Sequence, residues 1–287
     1  MAETIVVHLD VNGTIMAADL AQEKTGEVAI THELAKKTVG IWRGNLPEMR
    51  YQDYVERHLI PGPESDQLIK KQRRDLYLKF LPMLQTNQHP NLDQIQTRYN
   101  ELIHILQAQQ DPLFPSFWNL VDWAWQSDHD IRFVFRTFGQ DIPKIIDLLK
   151  SRGHCLQNLF AYDNGRLYRG HFHGHTFAKH EICHNLSDVF SDQFNAIRDD
   201  WKFWNRQGEQ EEYAKPFHKM EGIVSIFFDD NATEKQIIAP KGFISPEGET
   251  LTTQDLLNSG HIVAVSPLKA MVQPEYFIQK IKRLLSK

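Results

Sequence analysis

Cysteine is scarce in this chain: Cys155 and Cys183 are the only two among 287 residues. Two widely spaced thiols do not make a disulfide framework, so a reducing compartment is the default expectation. Long apolar runs are missing as well, and no stretch approaches the roughly 18 residues needed to cross a bilayer. The start, Met1-Ala2-Glu3-Thr4, carries an acid and leads directly into an apolar run. It has neither the basic start nor the cleavage site of a secretory signal. The expectation is a cytoplasmic protein with no membrane partner, and export without a cleavable signal stays open. An excess of positive charge is also lacking. The 32 Lys and Arg against 37 Asp and Glu give a formal net charge of −5. That balance disfavours broad nucleic-acid binding and leaves room only for a local basic patch. Internal repeats and low-complexity tracts do not occur.

What is present suits a soluble globular protein. Hydrophobic residues make up 41% and charged residues 24%, enough for a sizeable core. The length fits two domains, or one domain with a large insertion.

Periodicity divides the chain. Thr4-Ile5-Val6-Val7-His8-Leu9 is a β-branched run ending on Asp10, followed at once by the turn residues Asn12-Gly13, and it predicts a buried strand. From about 30 to 127 the pattern is helical. Thr31 is placed to cap a helix through Leu34, Val39 and Trp42. A second helix is expected from about Ser65 to Phe80, a third from Leu92 to Leu106, and Ser116 is placed to cap a fourth with Trp118, Val121 and Trp125. Alternation then returns. Strands are expected at Ile131–Thr137, Leu156–Tyr162, Ile223–Phe228 and His261–Val265, with a helix capped by Asp141 and closed by Gly153, and a last helix over Pro274–Leu285. Strands separated by helices predict an α/β fold: a mostly parallel, Rossmann-like sheet with helices on both faces. Ligands of such sheets sit at the carboxyl ends of the strands. The polar residues there are Asp10, Thr137 and Asp229-Asp230.

Asp10-Val11-Asn12-Gly13-Thr14, directly after an apolar strand, resembles the first motif of the haloacid dehalogenase superfamily. Taken alone, the segment also fits a strand-end aspartate in a turn. Thr137 resembles the family's second motif, a Thr or Ser that hydrogen-bonds the transferring phosphoryl group. Asp229-Asp230 resembles its acidic pair. The family's lysine just upstream of that pair has two candidates, Lys215 and Lys219, and Lys215-Pro216 resembles a common Lys-Pro form. The order of nucleophile, Thr, Lys and acidic pair carries the resemblance, which covers about residues 1–30 and 116–287.

The resemblance implies a phosphatase-like hydrolase acting on a small phosphorylated molecule. Asp10 is the implied nucleophile, forming an aspartyl ester. Mg²⁺ is the implied cofactor, held by Asp10, the Asn12 backbone carbonyl, Asp229 and Asp230, an oxygen donor set suited to a hard cation. Gly13 allows the tight turn, Thr14 hydrogen-bonds within the loop, and Gly13, Thr14, Arg136 and Gly139 count as substrate-binding positions. Asn12 departs from the family pattern, because most phosphatases there carry Asp at this position as the general acid. An amide cannot take that role, and losing a general acid typically costs about 10²–10⁴ in rate. Leaving groups of low pKa, such as acyl and aryl phosphates, suffer least. A dehalogenase-like hydrolase or a catalytically weak binding protein of the same fold is the alternative.

The chain between Asp10 and Thr137 is far longer than one crossover needs. The resemblance implies a helical cap domain over 30–112, inserted into a core of 1–29 and 113–287. Trp42, Tyr51, Tyr54 and Tyr77 are expected mostly to pack the cap's own core, with a substrate pocket as the other reading. His171, His173, His175, His180, Cys183 and His184 are metal-capable, yet their spacing matches no closed zinc pattern. A polar loop or hairpin near the site's rim is the plainer expectation, with His173 or His175 available for a substrate contact. Trp201 and Trp204 are expected to share a helix face in core packing, and Lys70-Lys71-Gln72-Arg73-Arg74 is expected to be a solvated helix face.

Overall fold

The computed structural model describes residues 3–17, 26–63, 66–109, 111–233 and 235–286. The chain forms two compact units. One is Met1–Met16 with Leu113–Lys287, and the other is Ala17–Pro112. The inserted unit therefore begins earlier than the expected position 30.

In chain order, β1 (Thr4–Asp10) precedes the inserted unit. That unit contains α1 (Gly26–Lys37), the two-residue strands β2 (Val39–Gly40) and β3 (Met49–Arg50), α2 (Tyr51–Tyr54), α3 (Gln67–Leu78), α4 (Phe80–Thr86) and α5 (Leu92–Ala108). The first unit resumes with α6 (Pro115–Gln126), β4 (Asp130–Thr137), α7 (Ile142–Ser151), β5 (Asn158–Asp163), β6 (Arg166–His173), β7 (Thr176–Ile182), β8 (Phe194–Arg198), α8 (Trp201–Arg206), β9 (Lys215–His218), β10 (Ile223–Asp229), β11 (Ile238–Lys241), α9 (Thr253–Ser259), β12 (Ile262–Ala264), α10 (Pro267–Val272) and α11 (Tyr276–Leu285).

The large sheet has eight strands in the order β12-β10-β1-β4-β8-β5-β6-β7. The six from β12 to β5 are parallel, and β6 and β7 extend the edge as an antiparallel hairpin. This is the mostly parallel α/β architecture that the alternation predicts. Central β1 is covered on both sides, and Ile5, Val6, Val7 and Leu9 are fully buried. Burial on both faces explains why β1 reads as a continuous apolar run rather than an alternating one. Each such side chain contributes about 1.5–3 kcal/mol relative to exposure. Strands β4 and β8 lie on one side of β1 and β10 and β12 on the other. The strand order thus reverses at β1, the place where open parallel sheets bind ligands.

Several local expectations need correction. Thr31 lies inside α1 and its hydroxyl donates back to the carbonyls of Glu27 and Val28. The helix ends at Lys37, so Val39 falls on β2 and Trp42 in the loop beyond it. Ser116 is the second residue of α6, and its hydroxyl donates to the Ala270 carbonyl 2.6 Å away. Ser65 lies outside the described residues; α3 is capped by Asp66, whose side chain accepts from the amides of Leu68 and Ile69. Strand β8 escaped the periodic reading because Asn195 interrupts its short apolar run. That asparagine is fully buried, donates to the Phe133 and Asp192 carbonyls and accepts from Asn158. A satisfied buried amide breaks the apolar pattern without breaking the strand.

In the inserted unit, Trp42, Tyr51, Tyr54 and Tyr77 are all buried. Trp42 packs edge-on to Tyr51 at 4.9 Å and stacks on His89 at 5.7 Å, while Tyr51 meets Phe80 at 5.1 Å. Their polar tips are occupied: the Trp42 indole donates to the Met49 carbonyl and the Tyr51 hydroxyl to that of Leu76. These rings form that unit's core. Arg73 departs from the expected solvated face, since it is buried and donates to the carbonyls of Ile60 and Gly62.

Candidate active site at the ends of three strands

Parallel pairing of β1 with β4 and with β10 brings Asp10, Thr137 and Asp229 to the same edge of the sheet. Beyond Asp10 the chain turns tightly. The amides of Ile15 and Met16 both donate to the Val11 carbonyl, and that of Gly13 donates to the Met16 carbonyl. Gly13 adopts φ +79°, and a Cβ there would lie 2.4 Å from Asp230 Oδ2. Glycine is needed for its left-handed backbone and for the close approach of Asp230. Thr14 is buried, and its hydroxyl accepts the Asp230 amide at 3.2 Å, tying the first turn to the acidic pair.

Asp10, Asp229 and Asp230 form an acidic group whose ligand oxygens all lie within 4.8 Å of one another. Lys215 spans two of them, with Nζ 2.5 Å from Asp10 Oδ1 and 2.7 Å from Asp229 Oδ2. Of the two candidate lysines, Lys215 is buried in the cluster, whereas Lys219 is exposed. Strand β9 holds Lys215 through the bond from its amide to the Ile237 carbonyl, and Phe138 lies under the ammonium at 5.1 Å. Burial opposes the lysine's charge, but Asp10, Asp229 and Asp199 together outweigh it and raise its proton affinity above that of a free lysine. Burial is also the largest influence on Asp10, pushing its carboxyl well above the usual range. Lys215 opposes this shift, and Asp229 and Asp230 reinforce it. Three carboxyl groups meet here in a largely buried place. An all-oxygen donor set of this kind suits a hard divalent cation.

Asn12 is half-buried and close to a residue that the sequence pattern assigns to a helix cap. Its Nδ2 donates to Asp141 Oδ2 at 2.8 Å, and the Thr137 hydroxyl donates to the same oxygen at 3.3 Å. Asp141 stands at the N-terminus of α7 as expected, but its side chain makes no capping bond. It is turned into the loop that follows β4. The signal for this was Gly139, whose position leaves no room for a Cβ, which would come within 2.5 Å of Asp141 Oδ2. Asn12 Oδ1, by contrast, is buried with no hydrogen-bond partner among the described residues. Such an acceptor costs about 1–3 kcal/mol unless a ligand or water satisfies it.

Arg136 and Gly139, expected as substrate contacts, are placed differently. Arg136 is fully buried and forms a two-pronged pair with Asp199 at 2.5 and 3.0 Å, with a further bond to the Pro216 carbonyl. It ties β4 to β8 and β9, and its guanidinium has no exposed surface for a ligand. The Gly139 amide is occupied by Thr137 Oγ1 at 2.8 Å.

No family model, curated protein or solved structure matches this chain. Among the described residues, no helix is long and apolar enough to cross a membrane.

Proposed function

We propose that this chain is a phosphoryl-transfer hydrolase of the haloacid dehalogenase type, using Asp10 as nucleophile. The observation that carries this reading is Lys215 bridging Asp10 and Asp229 beside Asp230, at the carboxyl ends of adjacent parallel strands. The oxygen donors present fit Mg²⁺, with Asp10, Asp229, Asp230 and the Asn12 carbonyl as its holders. When bound, that ion neutralises charge on the phosphoryl oxygens and keeps the Asp10 carboxyl ionised.

In the first step an Asp10 carboxylate oxygen attacks phosphorus, the bond to the leaving oxygen breaks, and the leaving group departs with the bonding pair. Lys215 stabilises the charge that builds up on nucleophile and phosphate. In the second step water attacks the aspartyl phosphate, inorganic phosphate leaves, and Asp10 is regenerated. Asp141 accepts hydrogen bonds from both Asn12 and Thr137, which makes it a positioning residue for the two. No proton donor stands at the position of Asn12, so the preferred substrates are small phosphates with good leaving groups, such as acyl or aryl phosphates. The inserted unit, Ala17–Pro112, enters the chain where caps of this family enter. Within the first unit, the segments that flank the insertion are joined by the bond from the Phe114 amide to the Ile15 carbonyl.

The test is turnover of acetyl phosphate and para-nitrophenyl phosphate with Mg²⁺, in wild type and Asp10→Asn. Turnover lost in the variant at unchanged thermal stability supports the reading. Full activity in excess chelator points instead to a dehalogenase-like hydrolase. Absence of phosphate turnover with metal binding retained points to a binding protein.

A further inference from the structure

The β6–β7 hairpin carries a second cluster of metal-capable side chains, separate from the acidic site. His171 and His173 are two residues apart on β6 and so project from the same face of the strand. On β7, the pairing runs Arg169↔Glu181 and then Gly170↔Lys179, which leaves His180 as the extra residue of a β-bulge. His171 pairs with Ala178, and His180 lies two residues further on, so strand alternation puts His180 on the face of His171, beside the bulge. The ring centroids of His171 and His180 are 4.5 Å apart, and those of His171 and His173 are 4.3 Å apart. The opposite face is anchored: Phe172 and Phe177 pack at 5.1 Å, and the Arg198 guanidinium lies over both.

Three imidazoles gathered on a solvent-facing surface have no hydrophobic reason to cluster. His171 Nδ1 lies 2.5 Å from His180 Nε2, and His171 Nε2 lies 2.6 Å from His173 Nε2. Both separations are below the roughly 2.7–3.2 Å of ordinary N–H hydrogen bonds. We propose that His171, His173 and His180 form a binding site for a divalent transition-metal ion of the zinc type, with its fourth position open to solvent. Two histidines from one strand and a third from its neighbour supply the three nitrogen ligands of an open tetrahedral site. Nitrogens around such an ion at bond lengths of about 2.0–2.1 Å stand about 3.3 Å apart. The two pairs that His171 makes must therefore each spread by less than about 1 Å, while His173 and His180 must draw together, since the three rings do not yet offer one nitrogen each within 4.8 Å of one another. His171 must also turn, because it now meets its neighbours through different nitrogens. His171 is half-buried and His173 and His180 are exposed, so that adjustment displaces no core residue. Imidazole ligands select zinc, copper or nickel over magnesium, which separates this site chemically from the oxygen-only cluster at Asp10.

The experiment uses the full chain without a histidine tag, titrated with Zn²⁺ and with Co²⁺ in excess Mg²⁺. The expected result is one Zn²⁺ per chain and a visible Co²⁺ absorption typical of tetrahedral coordination. His171→Ala, His173→Ala and His180→Ala should each weaken binding at least about tenfold, at unchanged far-UV circular dichroism. His180→Gln provides a second variant that keeps side-chain volume, and it should lose affinity too. His184→Ala should bind as wild type. Asp10→Asn with Asp229→Asn should also keep the Zn²⁺ site, whatever it does to phosphate turnover. Binding that survives all three histidine replacements, binding that vanishes with the two aspartates, or no Zn²⁺ bound by wild type overturns the proposal.

Discussion

Lys215→Met removes a charge from the middle of the acidic cluster while keeping the side chain long and apolar. In the wild type the ammonium lies 2.5 Å from Asp10 and 2.7 Å from Asp229, with side-chain exposures of 1%, 10% and 0% for the three residues. The variant strands two buried carboxylates beside Asp230 with no cation between them. Removing one partner of a buried ion pair typically costs about 3–5 kcal/mol, because the remaining charge is uncompensated. For a unit of this size each kcal/mol moves Tm by about 2–4 °C, so the loss in chelator is about 6–20 °C. Two further measurements separate charge from packing. The double variant Lys215→Met with Asp10→Asn carries one stranded charge fewer and should be more stable than Lys215→Met alone. Lower pH should also rescue the single variant. The Asp10 carboxyl is already raised by burial, and without Lys215 nothing opposes that rise, so protonation favours the folded state. The assay is thermal melting in chelator and in Mg²⁺, across pH. A single variant melting within about 1 °C of wild type in chelator, or a double variant less stable than the single, refutes the reasoning.

Wild-type turnover should fall steeply from aryl to alkyl phosphates, and Asn12→Asp should raise the poorest leaving groups most, by up to about 10²–10⁴; a flat dependence in wild type sinks the argument from the missing acid. Asp141→Asn should lower kcat while leaving that leaving-group slope unchanged, since Asp141 acts by holding Asn12 and Thr137; a changed slope would make it a proton donor instead. Gly13→Ala forces a left-handed backbone and a Cβ against Asp230, and should cost about 1–3 kcal/mol together with metal affinity; unchanged Mg²⁺ binding by calorimetry argues against the turn's role. His218 is held neutral by burial first and then by Arg136 and Lys241, which lower its pKa from 6.5 to about 4. The unfolded chain takes that proton first, so this contribution to stability is full above pH 6.5 and declines as pH falls toward about 4. His218→Gln should flatten the decline, and melting profiles of variant and wild type that superimpose would contradict it.

Elements whose pattern is local are legible in the amino-acid sequence. Runs such as Ile5-Val6-Val7 and Ile226-Phe227-Phe228 are apolar on both faces because parallel strands cover them on both sides, and each ends on a carboxylate. That is enough to anticipate the parallel sheet and to single out Asp10, Thr137 and Asp229 as residues at the carboxyl ends of strands. Asn195 hides β8 because a buried amide satisfied by three partners looks polar in sequence. Asp141 looks like a helix cap because its position is that of one. Only the fold turns its carboxylate toward Asn12, which lies far away in the chain.

By itself, then, the sequence determined where the central apolar strands lie and which polar groups stand at their ends, since hydrophobic periodicity acts over a few residues, but not where helices such as α1 and α6 begin and end. Long-range pairing decided the rest. It buried Lys215 in the acidic cluster and left Lys219 exposed. It committed Arg136 to Asp199 across neighbouring strands, and the pairing of β6 with β7 set His180 beside His171 and His173. Those outcomes depend on register between distant segments, where a shift of one residue changes which side chains meet.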